Sequence, residues 1–251
     1  MHALFLFAQS SLEIMAGIYQ RYSLKLNVSK TETMIFNHQG LYPSSILKLN
    51  GKAIVNVVTF KFLGALQNKN EIGIGDVELH NRIQSANGKF AEFKKVLTSP
   101  HIYISTKMVY FNSLIRSRLT YSCQNWAGIT DKQLAKMDRA QRKLLRRMIR
   151  GGFRRVDSAN GNYDFEIRTA ELLKICRTTD LSDFIKKQMK KYCAHVIRKP
   201  NSAINKQLIF NSDTNTRTGH PVPNLKTQVQ KFEGLTGFDD QFIKDCRDKK
   251  N

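Results

Sequence analysis

Acidic side chains are scarce in this sequence. Its 251 residues include 20 Asp and Glu against 41 Lys and Arg, which gives a formal net charge of +21. Such an excess of positive charge favours a polyanionic partner, either nucleic acid or an acidic membrane surface. A basic protein without such a partner is the alternative that the composition leaves open.

Long apolar runs are missing as well. No stretch approaches the roughly 18 apolar residues that a membrane-spanning helix requires. The apolar segment from Ala3 to Ala8 is too short for the core of a signal peptide, and no Lys or Arg precedes it. We therefore expect an intracellular protein, cytoplasmic or nuclear, with no membrane partner.

Cysteines are few and are not grouped. The sequence contains Cys123, Cys176, Cys193 and Cys246. No pair of them has the short spacing of a zinc-binding motif. Cys193 and His195 come closest, but they lie in a helical pattern without a second pair of ligands. We expect free or buried thiols, no metal site and no cofactor for this chain.

A small antiparallel sheet is predicted by the pattern that follows the first helix. Apolar and polar residues alternate over 24–28, as in a half-buried strand or extended segment. A short β-prone run follows at 33–36. Asn50-Gly51 lies between two apolar segments, the strongest short-range signal for a two-residue hairpin turn. Residues 59–63 are typical of one more strand, which a glycine ends.

Two motifs in this region resemble one enzyme family. The first is Leu-Lys-Leu-Asn-Val-Ser-Lys-Thr-Glu at 24–32, and the second is Phe-Lys-Phe-Leu-Gly at 60–64. In this order they resemble the segments that follow the catalytic hairpin in reverse transcriptases of non-LTR (LINE-type) retrotransposons. Upstream, residues 4–10 look like the strand that leaves the catalytic turn. Downstream, residues 121–126 and 142–152 resemble the helical region after the palm.

The resemblance implies an RNA-directed DNA polymerase, but one feature departs from it. The family's metal-binding aspartate pair would stand immediately before Ala3, where this sequence has Met1-His2. In the intact family such carboxylates hold magnesium ions that activate the primer hydroxyl. We therefore expect no complete catalytic site and no polymerase activity of this chain alone.

Other residues receive roles from the same resemblance. Lys30 would lie near the incoming triphosphate, where a lysine can protonate or neutralise the leaving pyrophosphate. A solvated loop lysine is the alternative interpretation of this residue. A primer-grip-like turn, which holds the primer end, would consist of Phe62, Leu63 and Gly64.

The rest of the chain shows helical patterns. Apolar residues recur every three or four positions, which predicts amphipathic helices. Such helices are expected over residues 10–22, 76–97, 105–126, 130–150, 168–177 and 180–198. Thr130 and Gln133 have capping-box spacing at the start of the fourth of these helices.

The helix predicted over 130–150 has a basic side. Met137, Leu144 and Met148 share one side of it. The opposite side carries Arg139, Lys143, Arg146 and Arg150, with Arg142 and Arg147 at its flanks and Arg154 and Arg155 just beyond. A solvated face usually mixes both signs, whereas no acid occurs here from residue 139 to residue 155. We expect a phosphate-facing surface, which by position resembles the family's thumb.

Together these patterns predict an α+β chain. It would have a truncated reverse-transcriptase palm with a small antiparallel sheet over 1–67, a helical thumb-like region over 68–155, C-terminal helices over 156–199 and a flexible polar tail over 200–251. The expected function is that of a retrotransposon reverse-transcriptase fragment that binds RNA and DNA as a template–primer duplex or hybrid. Two alternatives stay open: an enzyme piece whose fingers and aspartates are encoded upstream or lie in a second chain, and a basic helical nucleic-acid-binding module without polymerase ancestry.

Overall fold

Two compact units make up the chain, Met1–Ile72 and Gly73–Asn251. The computed structural model describes residues 2–35, 46–69, 74–149, 153–155, 163–165, 167–210 and 224–234, with the backbone alone at 2–4, 153–155, 163–165 and 210. The described residues are mostly helical with a few small sheets, which is compatible with the α+β class. The divisions predicted after residues 155 and 199 do not coincide with the boundary between the units.

The described part of the first unit contains one α-helix and six short strands. Helix α1 (His2–Arg21) is followed by β1 (Glu32–Thr33), β2 (Lys48–Leu49), β3 (Lys52–Ala53), β4 (Val55–Asn56), β5 (Thr59–Phe62) and β6 (Ala65–Asn68). β2 pairs with β3 and β5 pairs with β6 in the antiparallel sense, whereas β1 and β4 are parallel. The two antiparallel pairs are separate hairpins, so the described residues do not form the single antiparallel sheet that was predicted.

Both hairpins turn through two residues with positive φ. The φ angles are 53° at Asn50 and 76° at Gly51, and 46° at Leu63 and 81° at Gly64. Positive φ at both central residues is the type I′ pattern, whose twist matches that of the flanking strands. The hairpin predicted at Asn50-Gly51 is confirmed. The strand predicted over 59–63 ends one residue early, and its partner β6 was not predicted.

Residues 4–10 belong to α1, so the prediction of a strand there is wrong. A strand without a neighbour leaves its N–H and C=O groups unpaired, whereas a helix satisfies them within its own backbone. The helix accordingly begins well before residue 10, where the first predicted helix starts. Residues 24–27 lie outside any strand, and Val28–Lys30 is a short 3-10 helix.

Helix α1 contacts the β2–β3 hairpin through a polar side chain. Gln9 donates from Nε2 to the Lys48 carbonyl and accepts the Lys48 N–H at Oε1, each at 2.9 Å. Apolar side chains of this helix are exposed instead, among them Leu6, Phe7, Ile14, Met15 and Ile18. Leu49 and Ile54 are the buried apolar residues in the described part of this unit. The first unit therefore has a small core.

Helices dominate the described part of the second unit. They are α2 (Asp76–Glu92), α3 (Lys94–Leu97), α4 (Ile104–Tyr110), a π-helix (Phe111–Arg116), α5 (Ser117–Leu119), α6 (Asp131–Ile149), α7 (Thr169–Ile175), α8 (Leu181–Ile197), α9 (Ile204–Phe210) and α10 (Leu225–Glu233). β7 (Phe153–Arg155) and β8 (Tyr163–Phe165) form an antiparallel pair after α6. No helix in the described ranges combines the length and the apolar character needed to cross a membrane.

The predicted apolar stripes form the core of the second unit. The buried side chains include Leu79, Ala86 and Phe90 on α2, and Phe111, Ile115 and Leu119 on the π-helix and α5. Two predicted helices are shorter than expected. α2 ends at Glu92 because Phe93 leaves helical geometry, and α5 ends at Leu119, shortly before Ser122 adopts a φ of 59°.

Residues 225–233 pack into this core, unlike the predicted polar tail. In α10, Leu225 and Val229 are buried. Gln228 donates from Nε2 to the Ile129 carbonyl at 3.1 Å. The sequence of a nine-residue helix predicts it only weakly, because a short helix is stabilised mainly by packing against the rest of the protein.

Candidate nucleic-acid interface

Helix α6 begins with the predicted capping box. The Thr130 N–H donates to Gln133 Oε1 at 2.9 Å, and the Gln133 N–H donates to Thr130 Oγ1 at 3.2 Å. The two side chains thus satisfy backbone donors that the first turn of a helix leaves unpaired. The cap fixes where α6 starts.

The inner side of α6 is apolar, as predicted. Met137, Leu144 and Met148 are each at most 1% exposed. α2 and α8 both pack against this helix. Burial of these three side chains sets the rotation of α6, so the residues on the opposite side can be compared directly with the predicted basic face.

Arg146 does not belong to the solvent-facing surface, contrary to the prediction. It is 7% exposed, and its Nη2 donates to the Ile167 carbonyl and to Thr169 Oγ1 at 3.3 Å each. Burial lowers the pKa of the Arg146 guanidinium, and the neighbouring positive charge of Arg142 adds to this effect. The physical reason is α7, which packs on this side of α6 and covers a position that a single helix would leave in water.

Arg142 also directs its charge toward the protein. Its Nε donates to Asp180 Oδ1 at 2.8 Å, and its Nη2 donates to Asp180 Oδ2. The hydrogen bonds to Asp180 raise the pKa of Arg142 and fix the guanidinium in a two-pronged geometry. Asp180 directly precedes α8, so this ion pair joins two helices. Arg142 is therefore a structural residue here.

A row of five cationic residues remains on the outward side of α6. We call it the α6 basic row, and it consists of Lys132, Lys136, Arg139, Lys143 and Arg147. Lys132, Arg139, Lys143 and Arg147 are exposed, and the Lys136 side chain is 40% exposed. Their spacing of four, three, four and four residues places them along one side of the helix. Lys132 and Lys136 were not predicted, although the same spacing extends back to them.

Few acids counteract this row. Asp138 is the one acid of α6 after its first residue, and it is 9% exposed. Its Oδ1 accepts the Ser182 N–H at 2.8 Å, so it faces α8. Lys136 lies 3.7 Å from Asp76, in a pair that is largely exposed and therefore weak. The Arg147 guanidinium lies 4.5 Å from the centre of the Phe90 ring, which holds it beside α2.

The remaining predicted site residues fall into two groups. Arg150 lies outside the described residues, and Arg154 and Arg155 lie in β7, where the backbone alone is described. In the first unit, Lys30 is exposed at the end of the short 3-10 helix. Phe62 ends β5, and Leu63 and Gly64 form the next turn; Phe62 and Leu63 are 60% and 77% exposed.

The first unit also contains a groove of about 690 Å³ between α1 and the β2–β3 hairpin, lined by Gln9, Glu13, Gln20 and Lys48 among others. It lacks the concentration of cations seen on α6.

A magnesium ion would require a group of hard oxygen ligands. In the part of the chain that the structure describes, no three His, Cys, Asp or Glu side chains are grouped so as to hold a metal ion.

Comparison of the chain with protein-family models, with curated proteins and with solved structures gives no match. The function proposed next therefore rests on the residues and their geometry.

Proposed function

We propose that this protein binds nucleic acid through the phosphate backbone, with the α6 basic row as the contact surface. The observation that carries the proposal is the row itself: five cations on one side of a helix whose rotation is fixed by the buried opposite side. The row projects into solvent, and the net charge of +21 supplies a long-range attraction for a polyanion.

The dimensions of the row suit a nucleic-acid backbone. From Lys132 to Arg147 the helix rises about 22 Å, at about 1.5 Å per residue. Each strand of a duplex presents one phosphate per roughly 3.4 Å of its axis, so several phosphates come within reach of the row. Lysine and arginine contacts to phosphate carry no sequence information, so we expect binding that does not depend on sequence.

The resemblance noted in the sequence supports a more specific proposal, that the chain is part of a retrotransposon reverse transcriptase. In that case the α6 basic row would contact the template–primer duplex or hybrid, and Phe62, Leu63 and Gly64 would contact the primer end. Support for this comes from the two motifs at 24–32 and 60–64, and from the exposed turn that the second motif forms.

A basic nucleic-acid-binding module without polymerase ancestry is the second candidate. It is favoured by α1, which is helical over residues 4–10, where the resemblance implies a strand. Translation of the nucleotides immediately upstream of Met1 tests the choice. An encoded aspartate pair after an aromatic residue and Ala supports the polymerase ancestry, whereas unrelated sequence supports the module.

The binding proposal is tested with a triple variant, Lys132→Gln, Arg139→Gln and Lys143→Gln. These three side chains are exposed, and Arg139 donates from Nε to the Ala135 carbonyl of its own helix at 3.3 Å. Lys136 and Arg147 instead contact Asp76 and Phe90 of α2. Glutamine is a good helix former, so α6 should be retained. The matched control removes three exposed lysines elsewhere in the second unit, Lys174→Gln, Lys187→Gln and Lys191→Gln.

Fluorescence anisotropy with labelled DNA duplexes and RNA–DNA hybrids of unrelated sequence measures the effect. We expect the α6 variant to bind all of them about tenfold or more weakly than the native protein, because three phosphate contacts are lost. The control variant should lose less, since only its net charge changes. Equal losses in the two variants, with helicity intact by circular dichroism, would show that the α6 basic row is not a specific surface.

A further inference from the structure

A second polar cleft lies on different elements, between α2 and the helical turn formed by the π-helix and α5. It has a volume of about 320 Å³, near the lower limit for small-ligand pockets. Its lining includes Arg82, Ser85, Leu114, Arg118 and Tyr121. Two arginines and an aromatic ring therefore border one opening, which we call the Tyr121 cleft.

The Tyr121 ring is held by Arg82 and stays partly accessible to solvent. The Arg82 guanidinium lies 4.7 Å from the centre of this ring. Arg82 is 8% exposed, whereas Tyr121 is 47% exposed, so a buried guanidinium packs on a ring that is itself partly exposed. Arg82 is in turn held by Glu78, whose Oε1 accepts from its Nε at 2.6 Å. A fixed aromatic surface loses little side-chain freedom when a flat ligand stacks on it.

Arg118 places a positive charge beside this ring. It lies three residues before Tyr121, and its side chain is exposed. Its Nη1 donates to Ser85 Oγ at 3.0 Å, which links it to α2 and orients the guanidinium along the cleft. A guanidinium has five N–H groups, so one hydrogen bond to Ser85 leaves others for a phosphate.

Two serine hydroxyls of the cleft donate hydrogen bonds to backbone carbonyls in and next to the π-helix. Ser113 Oγ donates to the Val109 carbonyl at 2.6 Å, and Ser117 Oγ donates to the Ser113 carbonyl at 2.5 Å. These bonds satisfy carbonyls in the widened turn, which is a distortion that proteins often place at functional sites. Positive charge in the cleft thus comes from the arginines, and Arg118 is the exposed one.

We infer that the Tyr121 cleft binds one unpaired nucleotide unit, with its base stacked on Tyr121 and its phosphate on Arg118. Stacking on an exposed aromatic ring and contact of the adjacent phosphate with a cation are how proteins bind single strands without sequence preference. A base inside a duplex is already stacked on both faces, so this site favours single-stranded nucleic acid or a free nucleotide. The inference is independent of the α6 basic row, whose expected ligand is a duplex or hybrid.

The experiment measures binding of a labelled, short single-stranded oligoadenylate to the full chain. Tyr121→Leu removes the ring, Tyr121→Phe keeps it, and Tyr103→Leu is the control, because Tyr103 is 83% exposed and does not line the cleft. We expect Tyr121→Leu to weaken binding about tenfold, from the energy of stacking one base. Tyr121→Phe and Tyr103→Leu should bind like the native protein, and Arg118→Gln should weaken binding and flatten its salt dependence. Duplex binding should be unchanged by Tyr121→Leu.

Competition experiments distinguish a free nucleotide from a nucleotide within a single strand as the ligand of the cleft. Displacement of the oligoadenylate by adenosine monophosphate, but not by inorganic phosphate, supports a site for a single nucleotide. Displacement by unlabelled single strand alone supports a site within a strand. The inference is overturned if Tyr121→Leu binds the strand as well as Tyr121→Phe does, if Tyr103→Leu loses as much, or if no single strand binds. Loss of duplex binding in the α6 triple variant is a separate result and decides the proposed function alone.

Discussion

Arg142 shows that a basic side chain on a basic helix can be a structural residue. Its two hydrogen bonds to Asp180 connect α6 to the start of α8, and both side chains are partly buried. Loss of the guanidinium would leave the Asp180 carboxylate without this partner in a partly desolvated position. Arg142 therefore contributes to stability, and we do not expect it to contribute to nucleic-acid affinity.

We predict that Arg142→Gln lowers the free energy of unfolding by about 1–3 kcal/mol, the range for leaving a desolvated polar group without its hydrogen-bond partner. Urea denaturation followed by circular dichroism measures the change. Arg139→Gln is the control, because this exposed residue should alter stability by no more than about 0.5 kcal/mol. A stable Arg142→Gln protein that binds duplex more weakly would instead return Arg142 to the binding surface.

Arg146 shows why the site could be predicted only in part from the sequence. Its position on α6, opposite Met137, correctly places it away from the apolar stripe. Its burial depends on Ile167, just before α7, and Thr169, the first residue of α7, both more than twenty residues away. A helical pattern reports one helix at a time, so it cannot reveal which polar positions a neighbouring helix will cover.

At the scale of elements, the β5–β6 hairpin contains an unusual residue in its turn. Leu63 has a φ of 46° and is 77% exposed. A left-handed conformation costs a non-glycine residue roughly 1–2 kcal/mol, and asparagine tolerates it better than leucine does. The β2–β3 hairpin has Asn50 at the equivalent position before a glycine. Leu63 is thus unfavourable in two ways: its backbone adopts a positive φ, and its apolar side chain is exposed to solvent.

We predict that Leu63→Asn stabilises the β5–β6 hairpin by up to about 1 kcal/mol, because Asn-Gly is the preferred pair in this turn. Amide hydrogen exchange within Thr59–Phe62 and Ala65–Asn68 measures this local change. The reverse substitution Asn50→Leu should reduce protection of the β2–β3 hairpin. If Leu63→Asn slows exchange in neither Thr59–Phe62 nor Ala65–Asn68, the assignment of a strained turn is contradicted.

Local signals determined which elements were predicted correctly. The capping box of Thr130 and Gln133 and the turn at Asn50-Gly51 act between neighbouring residues, so the sequence alone was sufficient for both. Residues 4–10 are different, because Ala, Leu and Phe are compatible with a helix or a strand and the outcome depends on pairing partners. The same dependence on partners explains why residues 225–233 were expected to belong to a flexible tail.

At the scale of the whole molecule, burial is distributed unevenly. The described part of the first unit buries Leu49 and Ile54, and its strands are two to four residues long. The second unit buries a continuous cluster that joins α2, the π-helix, α6 and α8. Small sheets with exposed edges are marginally stable, whereas a packed helical core is cooperative.

We predict correspondingly weak hydrogen-exchange protection in residues 1–72 and strong protection in α2, α6 and α8. Mass spectrometry of the native chain after a series of exchange times measures both. Met137→Ala, which removes a fully buried side chain, should lower protection in the second unit by the equivalent of about 2–5 kcal/mol. Uniform protection along the chain would contradict a division into one weakly and one strongly stabilised unit.

The central claim is that the α6 basic row binds nucleic-acid phosphates, and the salt dependence of duplex binding tests it most directly. For B-form DNA, each phosphate contact contributes about 0.9 to the slope of log affinity against log salt concentration. We predict that Lys132→Gln, Arg139→Gln and Lys143→Gln together flatten this slope by about two to three units. The control variant of Lys174, Lys187 and Lys191 should change it by less than about one unit. An unchanged slope in the α6 variant, with its helicity intact, would contradict the claim and leave the row as ordinary solvated surface.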